Sequence, residues 1–181
     1  MADRPLSAVA AASQAGLTDV VKTLLENGAQ IETRDNDGQT ALWHAADNGQ
    51  TEVLRALIAA GADVNTQRND GASALSSASE NGYIEVVQLL LDNHAHTEIR
   101  NTYGMTPLII AANLGRADVV RALLSAGADV NARNNHGLFP LIFASRSGHV
   151  EVVKVLLDHG AEMEGIDTSG RTPLWLSLIH I

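Results

Sequence analysis

The seven histidines are the residues of this chain best suited to chemistry, so their spacing is weighed first. His94 and His96 form the one close pair. Two imidazoles bind zinc only with further ligands, and the nearest acids, Asp92 and Glu98, read as ordinary loop and surface residues. A pair of exposed loop histidines is the plainer reading. His44 and Asp47 lie three residues apart on one predicted helix, but no serine in a nucleophile elbow accompanies them. His136, His149 and His159 fall at turn or surface positions. The chain has no cysteine, which removes disulfides, thiolate metal sites and a thiol nucleophile. It contains no P-loop, no dinucleotide-binding glycine pattern and no HExxH. Nothing here assembles an active site; we expect no enzymatic activity, no cofactor and no metal.

The elements that position these residues recur at a fixed interval. Gly38, Gly71, Gly104, Gly137 and Gly170 are each 33 residues apart, and so are Gly16, Gly49, Gly82, Gly115 and Gly148. Self-similarity at a constant period marks a repeat architecture, in which each unit buries its apolar face on its neighbours. The clearest copy reads TYGMTPLIIAANLGRADVVRALLSAGADVN over residues 102–131. Thr106-Pro107 starts a first helix, with Thr as cap and Pro in the first turn. Leu108, Ala111 and Ala112 share its apolar face, and Gly115 ends it in a left-handed conformation. Asp118 stands in the first turn of a second helix, where the dipole favours an acid. Val119, Val120, Leu123 and Leu124 form that helix's buried stripe, and Gly127 closes it.

This pattern resembles the ankyrin repeat over essentially the whole chain. The resemblance implies an all-α solenoid of helix–turn–helix repeats joined by short β-hairpin loops, in one array over residues 1–181. The register sets approximate repeats at 1–33, 34–66, 67–99, 100–132 and 133–165, with a truncated sixth at 166–181. Repeat three is the poorest copy. It carries four serines in and around its first helix, and His94 where other copies have Gly, so we expect a left-handed histidine and the softest region there. Trp43 and Trp175 stand where the family commonly has the His of Thr-Pro-Leu-His, and we expect their rings to pack on neighbouring hairpins. Residues 176–181, LSLIHI, abandon the pattern and match the translation of a transposon-end sequencing adapter. We expect them to be non-native and the natural chain to continue.

Composition narrows the function. A net charge of −9 argues against a duplex-DNA binder, and no apolar run approaches the ~20 residues of a membrane span. The absence of cysteine fits an intracellular protein, and we expect a monomeric array in the cytoplasm. The resemblance implies protein recognition on the hairpin tips and the exposed side of the first helices. By register, those positions run from Asp37, Asp47, Asp70 and Glu80 through Arg100, Tyr103, Met105 and Leu114 to Arg133, His136, Leu138 and Arg146. Acid thus gives way to an apolar centre at Tyr103, Met105 and Leu114, and then to base. The expectation is a scaffold that binds a partner protein. The alternative is a targeting or substrate-recruiting segment of a larger protein: an enzyme, ubiquitin-ligase adaptor, channel or effector. Asn65 and Asn131, each in an Asp-Val-Asn turn, further resemble ankyrin asparagines hydroxylated by an iron and 2-oxoglutarate-dependent enzyme, although asparagines so placed also bridge adjacent hairpins.

Overall fold

A computed structural model describes residues 6–163. Among them are ten α-helices and no β-strand. The first helices are α1 (Ala8–Gln14), α3 (Ala41–Asp47), α5 (Ala74–Asn81), α7 (Pro107–Asn113) and α9 (Pro140–Arg146). The second helices are α2 (Thr18–Glu26), α4 (Thr51–Ala59), α6 (Ile84–Asp92), α8 (Ala117–Ser125) and α10 (Val150–Asp158). Both sets start every 33 residues, as the glycine register requires. Repeat six, with Trp175 and residues 176–181, lies outside the described residues.

Helices this short are marginal alone and need caps and neighbours. The hydroxyls of Ser7, Thr40, Ser73 and Thr106 accept from the backbone N–H three residues on, at 3.1–3.3 Å. In α9, Phe139 holds the cap position without a side-chain bond, and Pro140 supplies the first turn instead. Each second helix carries an acid in its first turn: Asp19, Glu52, Glu85, Asp118 and Glu151. The left-handed stops fall where expected, at Gly115 (φ 70°) and at His94 (φ 64°), the one described residue other than glycine with positive φ. The loops are closed by turn bonds such as Asn101 N–H to Met105 O at 3.2 Å. The β-hairpin character reduces to a single antiparallel bridge, Gln67 to Ser73, among the described residues.

The chain divides into two compact units, residues 1–96 and 97–181. In unit 1, α3 packs between α1 and α5, and α4 between α2 and α6. All six residues from Ala41 to Ala46 are buried, with the Val53, Leu54 and Leu57 stripe of α4 and the Val86, Val87 and Leu90 stripe of α6. In unit 2, α7 packs on α9 and α8 on α10. Its core centres on Phe139, Leu108, Ile109, Leu123, Ile142 and Leu156, each fully enclosed.

Repeat three is better satisfied than its composition suggests. Ser73 and Ser76 form a reciprocal capping box, and α5 runs eight residues against seven for each other first helix. Ser77 donates to Asp47 of repeat two. Of the four serines, Ser79 alone is buried with an unpartnered hydroxyl.

Candidate partner-binding surface

Each hairpin tip is organised by one side-chain acceptor. In unit 1, Asp35 Oδ1 accepts from Asp37 N–H at 3.0 Å and Gln39 N–H at 2.9 Å. Its Oδ2 meets His44 Nε2 at 3.0 Å. Burial, the largest single influence, would raise the Asp35 pKa; the bonds from Gln39, His44 and Asp37 together outweigh it and hold it below the usual value. In the next tip, Asp70 takes Arg68 Nε and Nη2, both at 2.7 Å, and Ala72 N–H at 3.0 Å. Burial again pushes its pKa up, and the Arg68 and Ala72 bonds bring it net downward. The two tips are tied by Asn69, whose N–H donates to Asp37 O at 2.9 Å and whose amide donates to Asn36 O at 2.8 Å. Arg34 reaches across to Gln67 O at 2.7 Å.

Repeats four and five, in unit 2, build the same tips with neutral acceptors. Asn101 Oδ1 accepts from Tyr103 and Met105 N–H at 2.9 and 3.0 Å, and Asn134 Oδ1 from His136 and Leu138 N–H, both at 2.9 Å. Asn135 joins the tips, through its N–H to Tyr103 O at 3.2 Å and its amide to Thr102 O at 2.9 Å. The approach is close: a Cβ on Gly104 would lie 2.4 Å from Asn135 Oδ1 and 2.7 Å from its backbone nitrogen. Glycine is required there both for that space and for φ of 73°.

The recognition positions now separate by how they are held. Asp37 and Glu80 are exposed on unit 1. Asp70 is clamped by Arg68, and Asp47 accepts from Ser77 Oγ and from the Asn81 amide at 3.4 Å. In unit 2, Arg100 donates to Gly104 O at 3.3 Å and to Arg133 O, with Glu98 3.9 Å away. Arg133 donates to Gly137 O and Glu162 and lies 4.9 Å over the Phe139 ring. Arg100 thus joins consecutive hairpins, and Arg133 ties its own tip to the loop after α10. Tyr103 is 69% exposed and His136 is exposed as well, while Met105 and Leu138 are half-buried. Leu114 and Arg146 are exposed at the C-terminal ends of α7 and α9. The tips and first-helix ends of repeats four and five (residues 100–105, 113–116, 133–138 and 146–149) contain four arginines and no carboxylate, within a chain of net charge −9.

The histidines take structural places. His44 pairs with Asp35, nine residues before it, because the hairpin folds Asp35 back onto α3. Asp35 shares its register with Asn101 and Asn134, the signal that it organises a turn. The His94 carbonyl accepts from Asn65 Nδ2 at 3.2 Å, and Asn65 Oδ1 accepts from His96 N–H at 2.8 Å. Asn131 bridges in the same way to Glu162 N–H at 2.9 Å. Glu32 and Glu98 occupy the intervening copies of that position and accept from Asp63 N–H at 2.9 Å and Asp129 N–H at 3.0 Å. His149 Nε2 lies 3.0 Å from Asn113 O, over Gly115. The Trp43 ring packs against Arg68 of the neighbouring hairpin, 5.3 Å from guanidinium carbon to ring centre, and its N–H is buried without a partner. Among the described residues, no group of three or more His, Cys, Asp or Glu side chains converges as metal ligands would. No described helix is long and apolar enough to cross a membrane.

Comparison with known families accords with this geometry. The family described as "Ankyrin repeats (3 copies)" matches residues 2–68 and 60–134, and "Ankyrin repeats (many copies)" matches residues 123–176. No curated protein matches the chain.

Proposed function

The chain belongs to the ankyrin repeat family, an interaction fold rather than a catalytic one, and from that premise we propose that it binds a partner protein through its hairpin tips and first-helix ends. The observation that carries this reading is Tyr103. Its tip is fixed through the backbone by Asn101 and Asn135, while the side chain stands in solvent at 69% exposure. An aromatic side chain on a rigid support is the residue type that dominates binding energy at interfaces, because little conformational freedom remains to be lost. Met105, Leu138 and Leu114 extend the apolar area of unit 2. Arg146 and the acid-free tips of repeats four and five favour a partner segment that is acidic around an apolar anchor. A stable partner covers about 800 Å² of this chain, more than one repeat offers.

The test is site-specific crosslinking in cells. A photoreactive amino acid at position 103 is expected to capture a protein that the same group at Lys154, exposed on α10, does not. The triple variant Tyr103→Ala, Met105→Ala, Leu114→Ala is expected to lose that protein in direct binding measurements. Full retention of binding by the triple variant would remove the apolar centre from the account.

A further inference from the structure

Every Asn-Gly step of the chain lies in residues 1–96: Asn27-Gly28, Asn48-Gly49 and Asn81-Gly82. Residues 97–181 contain none. A glycine after asparagine leaves the peptide nitrogen unshielded, since no Cβ stands in the way of its attack on the side-chain amide. The three steps all close helices, but they are held differently. The Asn27 amide donates to Thr23 O at 2.8 Å, and the Asn48 amide to His44 O at 2.9 Å. Asn48 is also half-buried, with the Tyr83 ring lying over Gly49. Asn81 is exposed, and its amide is shared among Ser77 O at 3.2 Å, Asp47 O at 3.2 Å and Asp47 Oδ1 at 3.4 Å. All three contacts sit at or beyond the long end of the hydrogen-bond range, so none grips the amide firmly.

We propose that Asn81 is a modification site, where the chain deamidates spontaneously through a succinimide. When the last turn of α5 opens, the bond from Gly82 N–H to Ala78 O is released. Water or hydroxide takes the Gly82 amide proton, and the nitrogen attacks Asn81 Cγ. The N–Cγ bond forms, the Cγ–Nδ2 bond breaks, and Nδ2 leaves as ammonia. Water then opens the ring at either carbonyl, giving aspartate or isoaspartate at position 81. Nothing is oxidised or reduced; one water is consumed and one ammonia released. The product replaces an amide that donates to Asp47 by a carboxylate facing it. It thereby opposes the tie between repeats two and three and adds a negative charge beside Glu80. Because only water is required, the extent of conversion records the age of the molecule.

The full chain, folded, is incubated in mildly alkaline buffer and its peptides are mapped by mass spectrometry, with isoaspartate methyltransferase labelling to identify the product. The expected result is conversion at position 81 ahead of 27 and 48, abolished by Asn81→Gln, whose longer side chain closes the ring far more slowly. Conversion led by 27 or 48, or an unmodified position 81 under conditions where the urea-unfolded chain reacts there, would overturn the site. The consequence is tested separately. Asn81→Asp is expected to lower Tm more than Asn81→Ala, and the gap is expected to close in an Asp47→Asn background. Equal Tm values for the two variants in the presence of Asp47 would overturn the effect on the tie.

Discussion

The tips of repeats two and four are the same turn built with different acceptors. Asp35 and Asn101 stand 66 residues apart in the same register, and each closes its turn with two backbone N–H groups. Asp35 carries a charge and a third bond, to the buried His44; the copy of His44 in repeat four is Ile110, whose side chain has no polar atom to offer Asn101. The difference propagates outward. Unit 1 presents Asp37, Asp47, Asp70 and Glu80, with Asp47 and Asp70 tied down by Ser77, Asn81 and Arg68, while the tips and first-helix ends of repeats four and five carry no acid and leave Tyr103 exposed. One backbone design therefore supports two surfaces, because the turn needs only a side-chain acceptor for its N–H groups, and that acceptor is charged at Asp35, neutral at Asn101 and set two residues on at Asp70, where Arg68 takes the first position.

The comparison can be broken at the acceptors themselves. Asp35→Ala strips three bonds and strands a buried imidazole, and we expect a loss of about 3 kcal/mol, against about 2 kcal/mol for Asn101→Ala. Asp35→Asn keeps both backbone bonds and should lose only about 1 kcal/mol. Urea unfolding of the three variants decides this, and equal losses for the two alanine variants would leave the His44 contact without weight. Next in size is the partner energetics: Tyr103→Ala is expected to weaken binding by about 2 kcal/mol, and Asp37→Ala by less than about 0.5 kcal/mol. Titration calorimetry with the crosslinked partner separates the two faces; the reverse order would place the anchor in unit 1.

Acid should sharpen the contrast further. Asp35 and Asp70 are both held below their ordinary pKa of 3.8, so the stability they give is complete above that value and is lost as pH falls through their lower folded values. Asn101 and Asn134 do not titrate. Hydrogen exchange over descending pH should show protection falling in residues 34–72 before residues 100–138, and Asp35→Asn with Asp70→Asn should flatten that response. The smallest effect concerns Ser79. Removing its unpartnered hydroxyl with Ser79→Ala should leave stability unchanged or raise it by up to about 1 kcal/mol, whereas Ser77→Ala, which cuts the bond to Asp47, should lower it. Thermal melts of the pair check both signs.

What the amino-acid order makes legible is whatever repeats. The helix starts, the capping Thr106, the left-handed Gly115 and the forced left-handed His94 all follow from register, because the backbone demand at a position is the same in every copy. The contacts between copies are less legible. Register puts Arg100 and Arg133 among the proposed recognition positions, yet Arg100 is bound to a carbonyl of the next hairpin and Arg133 to one of its own tip, since a long side chain there reaches backbone as easily as solvent. The serines of repeat three count as lost apolar area in composition, yet Ser73, Ser76 and Ser77 find partners that composition does not reveal. Helical spacing points His44 to the acid nearest on its own helix, whereas its partner comes from the preceding turn.

The bridges between loops carry a consequence for how such a chain can be lengthened. The bridging residue alternates, Glu32, Asn65, Glu98 and Asn131, while the N–H that it receives comes from the following loop in every case. Any copy can thus follow any other as far as this bond is concerned, but only a block of two conserves the alternation. The smallest cassette that can be duplicated, deleted or grafted without altering the order of bridging residues is a pair of repeats. A library built on this backbone would best be cut between pairs.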